Sequence, residues 1–187
     1  MSTASANYDE QESQIVIEVS PQDCQVLTQD EYINDLVITQ NLTPEQAIQK
    51  AEEDYKKINQ ISPRSQLAKY TDTISAGPYE VLFGVYIIIE DGSLPVFLGV
   101  GEVWSQATGV GNYTWNEGSV QAYYISNKRV QLVGDGVIEV EYTHTLESNF
   151  GISIDDLISW GFSEATSTQT YFRKQLSCNT FFKPWWA

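Results

Sequence analysis

The feature that most constrains this chain is a run of short β-prone segments, cut by tight-turn signals, that begins at Tyr79. YEVLFGVYIIIE (79–90) is nearly all apolar, the pattern of a strand buried on both faces. Asp91-Gly92 is a hairpin turn signal, and LPVFLGVGEVW returns from it. NYTW then leads to a turn expected at Asn116-Glu117-Gly118. SVQAYYIS and RVQLV are joined by Asn127-Lys128, and Gly134-Asp135-Gly136 is expected to turn the chain again into VIEVEYTHTL. STQTYFRKQLS is the last strand candidate, and IVIEV (15–19) an early one. With 11 Tyr, 5 Trp and 7 Phe, the composition favours strands over helices. The expectation is a mainly β protein: a small antiparallel barrel or sandwich of about eight strands, most of them in a meander.

The preceding third differs. Residues 1–60 hold Asp9, Glu10, Glu12, Glu18, Asp23, Asp30, Glu31, Asp35, Glu45, Glu52, Glu53 and Asp54 against Lys50, Lys56 and Lys57. This places a disordered acidic arm at 1–14, an N-terminal appendage at 15–69 and the antiparallel β domain at 70–187. The appendage holds one amphipathic helix, about 43–60. Thr43 is its N-cap, Pro44 its first residue, and Gln46 completes a capping box. Leu42 and Ala47 are spaced for a hydrophobic staple, and Ile48, Ala51, Tyr55 and Ile58 share a face. Ser62-Pro63 ends the helix. A second, short helix is expected in SIDDLISW (153–160), opened by Ser153 and Asp156.

In FLGVGEVWSQATGVGNYTW (97–115), GVG occurs twice. A phosphate cradle needs a helix N-terminus behind its glycines, yet NYTW follows and no Lys or Arg stands between Lys69 and Lys128. The glycines instead read as structural. Gly99 and Gly101, and likewise Gly109 and Gly111, would lie on one face of adjacent, strongly coiled strands, where an aromatic can pack on bare backbone or a pocket can be floored. FLG with its glycine-rich strand, TGVG, a Trp, ISA at 74–76 and the turn at 91–92 together resemble the virulence-associated (Vap) proteins of actinobacteria over residues 71–118. That resemblance implies a small closed barrel after a disordered arm, with no catalytic constellation and a link to host membranes.

The residues offer little chemistry. His144, the single histidine, falls on the apolar face of VIEVEYTHTL, as a core or rim side chain would. Cys24 and Cys178 can bridge the arm to the C-terminus or remain two buried free thiols, and neither has a motif that would activate it. Glu139 and Glu141 share a strand face, which reads as a solvated acidic face before a carboxylate pair. Asp155-Asp156 suits a helix start. No spacing suggests a metal site, so neither cofactor nor metal is expected. A net charge of −15 repels a phosphate backbone and excludes nucleic acid as a partner. No apolar run is long enough for a transmembrane helix, and the first residues lack the basic and apolar regions of a signal peptide. FFKPWWA ends the chain. Its Phe181, Phe182, Trp185 and Trp186, with Trp104 and Trp115, form the candidate ligand or partner surface. The expected function is a non-enzymatic binding or effector protein, virulence- or toxin-like, meeting a protein partner or membrane surface through these aromatics. A carrier of a small apolar ligand in the barrel interior, a structural subunit and a β-fold hydrolase are the alternatives. Deleting residues 1–14 is expected to change the thermal midpoint by less than about 5 °C, measured by circular dichroism.

Overall fold

A computed structural model describes residues 17–18, 24–143, 147, 150–165 and 171–184. The expected arm at 1–14, His144, Trp185 and Trp186 lie outside the described residues. The elements run β1 (Ile17–Glu18), β2 (Cys24–Leu27), α1 (Gln29–Thr39), α2 (Pro44–Ile61), β3 (Ser65–Ala76), β4 (Tyr79–Glu90), β5 (Val96–Ala107), β6 (Thr114–Ser126), β7 (Arg129–Glu141), α3 (Ile154–Ser159), β8 (Ser163–Ala165) and β9 (Tyr171–Phe182). One sheet has the order β2-β3-β4-β5. The other has the order β1-β9-β7-β6, with β8 also on β9. Every pairing is antiparallel except the two-residue β1 on β9.

The chain is therefore mainly β, as expected, and forms a sandwich of two sheets. The closed barrel does not form, because no backbone ladder joins β5 to β6. Residues 108–113 carry the chain from one sheet to the other, with Gly111 at φ +114°. The facing edges meet instead through separate hydrogen bonds. Phe97 N–H donates to the Asn127 carbonyl at 2.9 Å, and Trp115 Nε1–H to Ser105 Oγ at 2.8 Å.

Two of the expected turns are mid-strand. Gly134-Asp135-Gly136 lies inside β7, and Asn116-Glu117-Gly118 lies inside β6, where Gly118 forms a bulge opposite it. The β7 glycines face inward and are covered by rings from other strands. A Cβ at Gly134 would lie 2.7 Å from Cε1 of Phe83, which reaches over from β4, and one at Gly136 would overlap the Trp115 indole. Phe83 and Trp115 meet edge to face at 5.7 Å. The volume missing from β7 is thus supplied by its neighbours, and the strand continues. The second GVG departs from expectation in the other direction. It is not a strand but the 108–113 connection, where a Cβ on Gly109 would strike the backbone of Pro78 and Glu80.

β4 is buried on both faces. Tyr79, Val81, Phe83, Val85, Ile87 and Ile89 point between the sheets, while Leu82, Tyr86 and Ile88 point the other way, into a second core under the helices. α2 has the expected capping box between Thr43 and Gln46. Its buried stripe is Ala47, Ala51 and Ile58, so Ile48 faces solvent, contrary to expectation. α1 was not expected. It opens with a second capping box, Thr28 with Glu31, and buries Tyr32 and Leu36. Asp35 of α1 accepts from Lys69 Nζ and from the Tyr86 hydroxyl, each at 2.6 Å, which ties the helix to β3 and β4. Gly134→Val is expected to lower stability by about 1–3 kcal/mol in urea denaturation, as overpacking of a filled core does. Gly92→Ala, with open space around the new Cβ, is expected to shift it by less than about 0.5 kcal/mol.

Candidate functional site

At the end of the sandwich where β3 turns into β4 and β5 passes to β6, a groove of about 580 Å³ is open to solvent. Pro78, Val110, Phe150, Ile152 and Trp160 line it, and Asp156 is the charged side chain in its wall. Local sequence explains its shape. Ser153 caps α3 and forms a capping box with Asp156, whose carboxyl is held below the usual range by the Ser153 hydroxyl and backbone N–H. The helix stops after one and a half turns at Gly161, φ +84°. There Lys174 Nζ donates to the Trp160 carbonyl, and the indole lies against Gly77, which has no side chain to obstruct it. Behind Trp160, the buried Tyr79 lies edge-on to it, to Phe162 and to Tyr113. In the groove itself, apolar groups are left in water: Val110 is 74% exposed and Phe150 53%.

Of the side chains expected to form an aromatic surface, the four described ones do not come together. Phe182 is core, 5.2 Å from the Tyr70 ring. Phe181 is half-buried under the Arg129 guanidinium at 3.8 Å. Trp104 is buried beneath the helices against Gly84, and Trp115 fills the space over Gly136. Of the four expected glycines, Gly101 borders a second cavity, of about 290 Å³, between α2 and β5. Gly99 has only Ile88 near it, and Gly109 and Gly111 shape the connection beside the groove. The groove was missed because its residues come from four separate segments and none is unusual alone. The visible signals were an apolar residue between two glycines, at Val110, and the apolar residues flanking a six-residue helix.

Among the described residues, the two thiols and Glu139 have these surroundings. Both cysteines are free. Burial pushes the Cys178 thiol up to about 12 and raises Cys24 as well, so neither is a ready nucleophile. Glu139 is engaged by Arg173 at 2.5 Å. Among the described residues no cluster of three or more His, Cys, Asp or Glu is placed to hold a metal ion, and no helix is long and apolar enough to cross a membrane. The fold and the groove define a class: a two-sheet antiparallel sandwich, one sheet covered by helices, with an apolar groove at one end. No protein-family model, curated protein or solved structure matches the chain.

Burial also pushes the Tyr79 hydroxyl up to about 12 and raises Tyr32, Tyr70 and Tyr86 further. Unfolded tyrosine and cysteine ionise at about 10 and 9. Above those values the unfolded chain binds fewer protons than the folded one, so stability falls as pH rises. Phenolate absorbance during alkaline titration is expected to show these four tyrosines ionising only together with loss of the far-ultraviolet β signal.

Proposed function

We propose that this chain is a non-enzymatic binding protein that receives a basic, amphipathic segment of a protein partner in the end groove. The observation that carries this reading is the groove itself. It is an apolar trough of about 580 Å³ in which Val110 and Phe150 remain exposed beside Trp160. Exposed apolar patches of this kind mark interaction sites. Charge selects the partner. Asp155 and Asp156 stand at the groove's helix, and the whole chain carries −15. Such a field attracts a segment rich in Lys and Arg, and it opposes an anionic membrane. The high thiol values and the Glu139–Arg173 pair support a binding role over a hydrolytic one. The carrier alternative, with its ligand between the sheets, is disfavoured by the packing there, where Tyr79, Phe83, Phe97 and Phe172 are buried against one another's strands. An effector role of the virulence-associated kind belongs to this proposal through the resemblance over 71–118.

A fluorescent amphipathic helix built from Leu and Lys is the direct probe. Its anisotropy with the wild-type chain is expected to report saturable binding that weakens with salt. Val110→Asp with Phe150→Asp, both at exposed positions, is expected to weaken that binding at least about tenfold while leaving the thermal midpoint in place. Equal binding by the double variant, or binding to anionic vesicles and not to the peptide, would contradict the reading.

A further inference from the structure

The second cavity carries an inference separate from the groove. It is about 290 Å³ and lies between the helical layer and the face of β3, β4 and β5. That is at the small end of the range for ligand pockets, roughly 300–1,000 Å³, and suits a molecule of one ring. Its origin is a defect in the β4–β5 ladder. The register steps from Val85 opposite Val103 to Ile87 opposite Val100, so Gly101 and Glu102 bulge out. Gly101 leaves bare backbone where a side chain would stand, and Ile58, Leu67, Ile88 and Val100 make the remaining wall apolar.

The mouth has a different character. The bulge sends Glu102 toward α2, where Asp54 waits. The Tyr32 hydroxyl donates to Asp54 at 3.0 Å and fixes the carboxylate. Lys50 bridges the two acids, 2.6 Å from Glu102 and 3.6 Å from Asp54, with its side chain 26% exposed. A ligand ammonium entering the mouth replaces Lys50 between the same carboxylates, and Lys50 returns to water. Lys57, the one cation in the lining, is largely exposed and already pairs with Asp54 at 3.3 Å. The charge of the chain steers cations toward it.

We infer that this cavity binds a small primary amine carrying one aromatic ring, with the ammonium between Asp54 and Glu102 and the ring over Gly101. No part of the groove is involved.

The test compares 2-phenylethylamine with 3-phenylpropionate, similar in size and opposite in charge, by amide chemical-shift titration of the full chain near neutral pH. The amine is expected to bind and to shift Tyr32, Ile58, Ile88 and Val100, with no effect from the carboxylate. Glu102→Gln removes a charge from a side chain that is 45% exposed, so the fold is retained. It is expected to weaken the amine about tenfold, the loss of one charge-assisted contact. Gly101→Val is expected to abolish binding by filling the floor, and Glu102→Gln decides the matter if that variant does not fold. The inference is overturned if no amine binds below about 10 mM. It is also overturned if phenylpropionate binds as well as the amine, if Glu102→Gln leaves the affinity unchanged, or if the shifts fall at Val110 and Phe150.

Discussion

Two sheets pack face to face about 10 Å apart, and that spacing must be filled without voids. Here the filling depends on large rings set against missing side chains. Phe83 rests on Gly134, Trp115 on Gly136, and the two rings touch each other. On the outer face of the other sheet, that of β4 and β5, Trp104 rests on Gly84. Each pair places a ring where two ordinary side chains would collide. Phe83 thus fills the space between β4 and β7, and Trp115, from β6 beside β7, packs against it. This arrangement also explains why β7 runs unbroken through two glycines that alone would weaken a strand.

The same constraint decides where a ligand can go. With the inter-sheet space filled, the openings lie at its boundaries. One is the end of the sandwich, where the 108–113 connection and α3 stop short of covering Trp160. The other is the seam beneath α2, where the β5 bulge removes one side chain and redirects another. Both openings use a glycine to expose backbone and an acid at the rim, and both sit in the field of a chain with fifteen excess negative charges. Beneath the helices, Asp35 is already partnered. Asp35 holds Lys69 and Tyr86, so α1 is anchored to the sheet by charge as well as by Tyr32 and Leu36.

Periodicity made much of the fold legible. The continuous apolar run of β4 gave away burial on two faces, and Thr43-Pro44 with Gln46 marked the start of α2 to the residue. Other elements were hidden by local chemistry that tertiary contacts overrule. In β3, Lys69, Thr71, Asp72 and Thr73 dilute the apolar pattern, and it is the pairing with β4 along the full twelve residues that makes it a strand. α1 carries Ile33, Val37 and Ile38, β-branched residues that obscure its Thr28 cap and its Tyr32–Leu36 spacing. Glycines at 134 and 136 read as a turn because a sequence does not show which ring from another strand will cover them. The groove and the cavity were the least legible features, since each is assembled from residues far apart in the chain. Of the four glycines whose pattern suits a pocket floor, only Gly101 lines either opening.

The central claim is that rings seated on glycines set the separation of the two sheets. A double-mutant cycle on Gly134→Ala and Phe83→Leu tests it most directly, with stabilities from urea denaturation. If the claim holds, the smaller side chain at 83 makes room for the new methyl group, and the double variant is more stable than the sum of the single losses by about 1 kcal/mol or more. Additive losses, agreeing within about 0.3 kcal/mol, would contradict it, because the two positions would then not share the volume between the sheets.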